Sequence, residues 1–153
     1  MASDRPQVAP NGMPPPNGFL LEDHVGFLLR KAHQRHAAIF QVSAAKAGLT
    51  PTQFAALCKT VELGHVTQNL LGRLVAMDPA TVQGVVRRLT ARGLIARSDD
   101  PMDRRTAVLT ATEAGLALIG EAVASAQRSH STALAPLSNE EQRVFLALLH
   151  RLV

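Results

Sequence analysis

The stretch from Thr67 to Gly115 constrains the fold most, because it combines three local signals in a fixed order. A short helix capped by Thr67 comes first. A second helix follows, with Asp78 as its N-cap and Pro79 as its first helical residue. Two short strand candidates then flank a charged turn that contains adjacent arginines. A helix, an arginine-bearing helix and a basic hairpin form an arrangement suited to holding duplex DNA.

The second helix has an apolar face and a face suited to reading DNA. Val82, Val85, Val86 and Leu89 recur at i, i+3, i+4 and i+7, so this stripe is predicted to be buried. On the other face, small residues let the backbone approach a major groove, and Gln and Arg can bind base edges or phosphates. The candidate DNA contacts are Ala80, Thr81, Gln83, Gly84, Arg87 and Arg88, with Thr67 and Gln68 on the preceding helix.

Different roles are expected within this set. Gln83 and Arg87 are assigned to base readout, whereas Arg88 and Arg92 are assigned to phosphate or solvent, because the helix N-terminus enters the groove. The turn Pro101–Arg105 offers guanidinium groups that fit a minor groove. The alternative is that the helix arginines form only a solvated face.

Positive charge is concentrated in the same part of the chain. The whole sequence has a net charge of +4 and a pI of about 10.2. Residues 73–105 contain seven Arg and four Asp. The location of this surplus, more than its size, indicates a nucleic-acid partner.

The remaining pattern predicts a mainly α protein with a small β-hairpin wing, in the order α-α-α-α-β-β-α-α. Residues 1–18 are rich in proline and are expected to form a disordered tail. Residues 19–153 are expected to form a single domain. Its DNA-binding lobe spans 50–110, and the helices of 19–47 and 111–153 carry more apolar surface than one thin lobe covers, which favours a homodimer.

The run from Asp78 to Gly115, DPATVQGVVRRLTARGLIARSDDPMDRRTAVLTATEAG, resembles the recognition helix and wing of the MarR family of bacterial transcription regulators. The family's Asp-x-Arg wing signature is matched by Asp103 and Arg105, and LTATEAG resembles its Leu-Thr-x-x-Gly segment. The resemblance implies a winged helix-turn-helix in an interlocked homodimer, with Asp103, Arg104 and Arg105 at the DNA. It also implies a small-ligand pocket between the dimer region and the DNA-binding lobes.

The segment FLLRKAHQRHAAIF further resembles the branch of MarR regulators that controls aromatic-acid catabolism, the NicR-like proteins. Cationic and imidazole groups beside aromatic rings suit a small aromatic carboxylate, since the ring packs and the charge pairs. The alternative is that these polar groups are solvated or lie in an interface. The candidate ligand contacts are His24, Phe27, Lys31, His33, His36, Phe40, Gln53 and Phe54.

Other chemistry is weakly supported by the sequence. His33 and His36 have the spacing to share a metal, but two His do not make a site, so neither metal nor cofactor is expected. Cys58 lies among alanine and leucine, which is typical of an inert buried thiol, although a redox role is the alternative.

The sequence therefore predicts a cytoplasmic, sequence-specific transcription regulator. We expect a repressor released from a near-palindromic operator by an aromatic acid. The alternative is a ligand-independent architectural or constitutive DNA-binding protein. An enzyme is disfavoured because no nucleophile–base set, phosphate loop or complete metal motif is present. RNA is disfavoured because residues 55–144 lack Phe, Tyr and Trp for stacking. No apolar run is long enough for a membrane span.

Overall fold

Helices dominate the computed structural model, which describes residues 16–99 and 107–153. Two 3₁₀ turns, Pro16–Gly18 and Leu21–Asp23, precede the first α-helix. The α-helices are α1 (Val25–Ser43), α2 (Pro51–Leu63), α3 (Gln68–Leu74), α4 (Pro79–Ala91), α5 (Glu113–Leu134) and α6 (Asn139–His150). The strands are β1 (His65–Thr67), β2 (Ile95–Asp99) and β3 (Ala107–Ala111).

The described residues divide into two compact units, those up to residue 34 and those from residue 35 onward. The described part of the first unit contains both 3₁₀ turns and the N-terminal half of α1. The second unit contains every other helix and all three strands. The hydrophobic core of the second unit joins α2, α3, α4, the sheet and the start of α5, and its members are Ala47, Leu49, Ala56, Leu57, Val66, Leu71, Val82, Val85, Val86, Leu89, Leu94, Ile95, Leu109, Ile119 and Ala122.

Side-chain caps fix the helix starts where the sequence predicts them. The Asp78 carboxylate accepts from the Thr81 backbone N–H at 2.9 Å, with Pro79 as first residue of α4. The spacing of Ser138 and Glu141 in the sequence also predicts a capping box, and the two residues form it at the start of α6. Each cap satisfies backbone donors that would otherwise lack a partner in the first turn. These predicted boundaries are therefore confirmed.

The first helix is shorter than the sequence pattern predicts. Helical periodicity extends from Phe19 to Ala47, but α1 begins at Val25 because His24 has an extended backbone after the preceding 3₁₀ turn. At the other end, α1 stops at Ser43, and a turn leads to Gly48, which adopts a positive φ of 58°. Apolar periodicity did not reveal either break, because the apolar spacing continues across both.

In the described residues the sheet has three strands, one more than the predicted hairpin. β3 is central and pairs antiparallel with both neighbours, in the order β1-β3-β2. Val66 lies opposite Leu109, and Arg97 lies opposite Leu109 on the other side. The strand β1 was missed because three residues are too few to show an alternating pattern. Its pairing ties the segment before α3 to the base of the wing.

A close backbone contact joins the sheet to α5. A Cβ on Gly115 would lie 2.2 Å from the Leu94 carbonyl oxygen, so only glycine fits at this position. Thr112 reinforces the junction, because its hydroxyl donates to the Gly93 carbonyl at 2.6 Å and caps α5. The LTATEAG segment thus joins β3 closely to the long helix α5.

Candidate nucleic-acid interface

The helix α4 presents one face to the core and the other to solvent. Val82, Val85, Val86 and Leu89 are all buried, as the spacing predicts. The helix packs closely on α3, since a Cβ on Gly72 would lie 3.2 Å from Val82 Cγ1. This contact holds α3 and α4 as one unit and leaves the opposite face of α4 exposed.

An open groove of about 780 Å³ lies between α3, the exposed face of α4 and the strands. Four predicted DNA contacts meet in its wall: Thr67, Gln68, Gln83 and Arg87. Five further polar or small residues share the groove and were not among the predicted contacts: Asn69, Thr90, Ala91, Arg97 and Ala107. Arg97 counted in the charge surplus, but only the strand pairing shows that β2 brings it to this surface.

The other predicted contacts on α4 lie outside the groove wall. Ala80, Thr81 and Arg88 are exposed, and Gly84 is half-buried. The guanidinium of Arg88 lies over Gly84, with Nη1 3.3 Å from the place a Cβ would occupy there. The Thr81 hydroxyl donates to Asp78 Oδ2, and this bond and the Thr81 backbone N–H hold the pKa of Asp78 below its usual value. Thr81 thus has a structural partner at the helix start.

Arg92 is exposed, and two of its nitrogens also have carbonyl partners within the chain. Its Nη1 donates to the Gly48 carbonyl at 2.7 Å, and its Nη2 donates to the Ala47 carbonyl at 3.1 Å. Both acceptors belong to the turn between α1 and α2. Arg92 therefore also has partners within the chain that its sequence position did not predict, and its assignment to phosphate or solvent stays a prediction.

The wing tip lies outside the described residues. Asp103, Arg104 and Arg105 fall between the end of β2 at Asp99 and the start of β3 at Ala107. The strands that carry the tip are in place, and their register pairs Asp99 with Ala107. The role of the three tip residues stays a prediction.

Half of the candidate ligand contacts lie in the first unit. Lys31 Nζ and the Arg30 guanidinium both lie 5.5 Å from the centre of the half-buried Phe27 ring. His24 packs its ring 5.6 Å from that of Phe19, and His33 is exposed. The cation–ring contacts are one helical turn apart and therefore follow from α1 itself.

The other half lies in the second unit, where three of the four residues form an aromatic row. The rings of His36 and Phe40 are 6.4 Å apart, and those of Phe40 and Phe54 are 5.3 Å apart. Phe40 is buried, whereas His36 and Phe54 are half-buried. Gln53 is buried as well, and its Oε1 accepts from the Thr50 backbone N–H at 2.9 Å in the capping box of α2. The carbonyl end of Gln53 therefore has a structural role.

Similarity to known proteins identifies the family. The MarR family pattern matches residues 49–107. The transcriptional repressor NicR of Pseudomonas putida is 40% identical over 131 residues, which cover 86% of this chain and 83% of NicR. The chain belongs to the MarR family. It is a DNA-binding transcription regulator, as its relatives are, and not an enzyme.

Solved structures agree with this membership. A probable transcriptional regulator from Pseudomonas aeruginosa superposes with a TM-score of 0.84 at 49% identity, covering 88% of this chain and all of that one. BpsR of Bordetella bronchiseptica, whose DNA binding is regulated by 6-hydroxynicotinic acid, superposes with a TM-score of 0.82 at 38% identity, covering 88% of this chain and 96% of BpsR. The winged helix-turn-helix predicted from the sequence is therefore confirmed for this MarR-family chain.

Other features of this MarR-family chain add little chemistry. In the described ranges, no three His, Cys, Asp or Glu side chains gather where they would hold a metal, so His33 and His36 gain no further ligand there. Cys58 is a free, half-buried thiol packed against the core. None of the helices described has both the length and the apolar character to cross a membrane.

Proposed function

We propose that this protein is a repressor that binds a near-palindromic operator as a homodimer and is released by a small aromatic acid. The observation that carries the proposal is the groove, where Gln83 and Arg87 of the recognition helix face Arg97 of β2 across an exposed surface. Two hydrogen-bonding residues on α4 flanked by a cationic strand match the needs of base readout supported by phosphate contacts.

Within this proposal the contacts have separate tasks. Gln83 and Arg87 read base edges, and Arg97 and Arg88 contact the phosphate backbone beside them. Thr67 and Gln68 contact the backbone from the start of α3. Ala80, Thr81 and Gly84 allow the helix to approach the groove. At the wing tip, Asp103 holds the hairpin, and Arg104 and Arg105 reach the minor groove.

A homodimer is supported by apolar surface that this chain leaves open. The helix α6 buries none of its residues against the described part of the chain. Its face includes an apolar cavity of about 360 Å³ walled by Leu137, Val144, Phe145 and Leu148. We place dimerisation in residues 19–47 and 111–153 and DNA binding in residues 50–110. Two copies then set two recognition helices about one turn of DNA apart.

The effector is proposed to be an aromatic carboxylate of the hydroxynicotinate kind. BpsR, which 6-hydroxynicotinic acid regulates, and the repressor NicR both share more than a third of their aligned residues with this chain. The row of His36, Phe40 and Phe54 supports this, because aromatic faces and an imidazole suit a planar acid. His24, Phe27, Lys31, His33 and Gln53 are the other proposed contacts.

Release needs only a small difference in binding energy. An effector that binds the DNA-incompetent shape better by about 1.4 kcal/mol lowers operator affinity tenfold. One charge-assisted hydrogen bond made in only one shape is worth that much. The site of action is proposed to be the cytoplasm, where the operator lies.

Selection of DNA from a random duplex library by the purified protein tests the operator half of the proposal. We expect an enriched near-palindrome with half-sites about 10 base pairs apart. Hydroxyl-radical footprinting of the enriched duplex should then show protection on one face over two successive turns. Enrichment of no sequence over the starting library would remove the sequence-specific reading and favour an architectural DNA-binding protein.

A further inference from the structure

The C-terminal end of the recognition helix is tied to the turn that leaves α1, and this tie is made by one side chain. Arg92, the C-cap of α4, spans a sequence separation of more than forty residues to reach Ala47 and Gly48. Its two donors engage two successive carbonyls, at 3.1 Å and 2.7 Å. A guanidinium is suited to this geometry, because its planar fork presents two donors at a fixed spacing.

The acceptors lie in a segment whose neighbours are fixed. Ala47 and Leu49 are buried in the core on either side of Gly48, which bends the chain at a φ of 58°. The turn carbonyls follow the end of α1, where backbone oxygens lack helical partners and carry partial negative charge. Arg92 therefore supplies both hydrogen bonds and compensating charge to this turn.

The tie has consequences for DNA recognition because the groove residues precede Arg92 on the same helix. Arg87 and Thr90 line the groove within two turns of Arg92, and Ala91 is adjacent to it. A rotation of α4 about its axis would turn Arg87 away from its place in the groove. The α1–α2 turn is thus one of the elements that contact the recognition helix, beside the core that buries its apolar stripe.

We propose that Arg92 is a positioning residue that fixes the recognition helix against the α1–α2 turn and so determines operator specificity without touching DNA. The inference rests on the proposed operator binding. The inference extends that proposal by naming the contact through which a movement at the end of α1 reaches α4. Arg35 makes a comparable tie at the other side, since its guanidinium donates to the Ala133 carbonyl at 2.6 Å near the end of α5. His36 and Phe40 of the aromatic row lie on α1 between Arg35 and the turn that Arg92 contacts.

The substitution Arg92→Lys tests this role, because it keeps the positive charge but loses the fork. The duplex enriched by wild type and an unrelated duplex of equal length are each titrated over a range of salt concentrations. Arg92→Ala removes both charge and fork. Lys46→Ala is the matched control, since it removes one exposed cation from the same turn.

We expect Arg92→Lys and Arg92→Ala to weaken binding to the enriched duplex roughly tenfold, the scale of one charge-assisted hydrogen bond. The affinity for the unrelated duplex and the steepness of the salt dependence should stay as in wild type, because both report phosphate contacts. Lys46→Ala should bind both duplexes as wild type does. Thermal unfolding of each variant shows that it is folded at the assay temperature, and the lysine variant carries the test if the alanine variant is not.

Two results would overturn the inference. If Arg92→Ala lowers the salt slope by about one charge while Arg92→Lys binds normally, Arg92 is a phosphate contact. If both variants keep wild-type discrimination between the duplexes, the tie has no role in recognition. Failure of wild type to discriminate between the duplexes would instead contradict the proposed operator binding, so the two ideas fail separately.

Discussion

The helices α4 and α6 have similar caps and similar apolar spacing, but their apolar faces differ in burial. Both begin with a side-chain cap, and both carry apolar residues at helical spacing. The helix α4 buries that stripe completely, with Leu89 at 0% exposure. The stripe of α6 stays open in the described chain, with Phe145 at 41% and Leu148 at 52% exposure. Capping and periodicity therefore specify a helix but do not specify what covers it.

The two helices also differ in what their polar faces contact. The exposed side of α4 borders a cationic groove, whereas Arg143 on the exposed side of α6 pairs with Glu140 of its own helix. The apolar face of α4 packs on the chain's own core, and its polar face is the proposed contact with DNA. In α6 the apolar face is the proposed contact with a second chain. The four predictions that follow test the contrast, from the largest expected effect to the smallest.

The apolar stripe of α4 should matter to the stability of a single chain. Leu89→Ala is expected to lower the free energy of unfolding by about 2–5 kcal/mol, because it leaves a cavity in a closed core. Urea denaturation at several protein concentrations measures this. The loss should be the same at each concentration. A loss that vanishes at high protein concentration would mean that the α4 core is completed only by a second chain.

The apolar stripe of α6 should matter to assembly instead. Leu148→Asp is expected to weaken the dimer by about 2 kcal/mol or more, roughly thirtyfold in its dissociation constant, since it places a charge in the proposed interface. Sedimentation velocity over a dilution series measures the shift toward monomer. As a control, Glu62→Gln changes an exposed charge on α2, outside the proposed dimerisation segments. Equal dimer fractions for Leu148→Asp and wild type would show that α6 is not the interface.

The two helices offer matched arginines for a test of their polar faces. Arg87→Ala is expected to cost about 1–3 kcal/mol of operator binding and to relax selectivity at one base position. Arg143→Ala should leave operator binding unchanged, because its partner is Glu140 on the same helix. Fluorescence anisotropy with the enriched duplex and its single-base variants measures both. Equal losses of operator affinity for the two variants would mean that net charge, and not the position of the arginine, determines the effect.

The caps of the two helices should share one pH dependence. Hydrogen bonds from Thr81 hold the pKa of Asp78 below its ordinary 3.8, and those from Ser138 hold the pKa of Glu141 below its ordinary 4.5. The folded state thus binds fewer protons than the unfolded state, so both caps stabilise the protein above those ordinary values. Their contribution is lost as pH falls through the lowered folded values.

Asp78→Asn and Glu141→Gln test that pH dependence. Both replacements keep a side-chain acceptor but no longer titrate. Urea unfolding between pH 6 and pH 3 should show a slightly smaller acid loss of stability for each variant than for wild type. An acid loss equal to or steeper than that of wild type would mean that the carboxylate is not stabilised in the folded protein.

The sequence predicted the parts of the site that local chemistry determines. Asp78, Pro79 and the valine stripe defined α4 and its exposed face, and four of the predicted contacts do line the groove. Arg97 could not be assigned, because its place in the groove depends on the register of β2 with β3. Long-range pairing of this kind leaves no periodic signal in the chain itself.

Arg92 has partners that the sequence did not reveal. A solvated position is the ordinary expectation for an arginine at a helix end, and neither capping nor spacing marks its two carbonyl partners. Those partners lie more than forty residues earlier in the chain, so only the fold brings them within reach. Gly115 lies between these two cases, because the sequence marked the residue but not its structural role. It was part of the segment that resembled the family, but the reason only glycine fits there is the Leu94 carbonyl beside it.

The central claim is that one small aromatic acid controls the operator affinity of this protein. The most direct test titrates benzoate, a hydroxycinnamate and 6-hydroxynicotinate into the preformed complex with the enriched duplex, followed by anisotropy, with calorimetry of each acid alone. We expect one acid to bind the protein and to lower operator affinity at least tenfold, and His36→Ala to weaken that response. If no acid binds, or if an acid binds and leaves operator affinity unchanged, the protein is a constitutive DNA-binding regulator and the account of its release is contradicted.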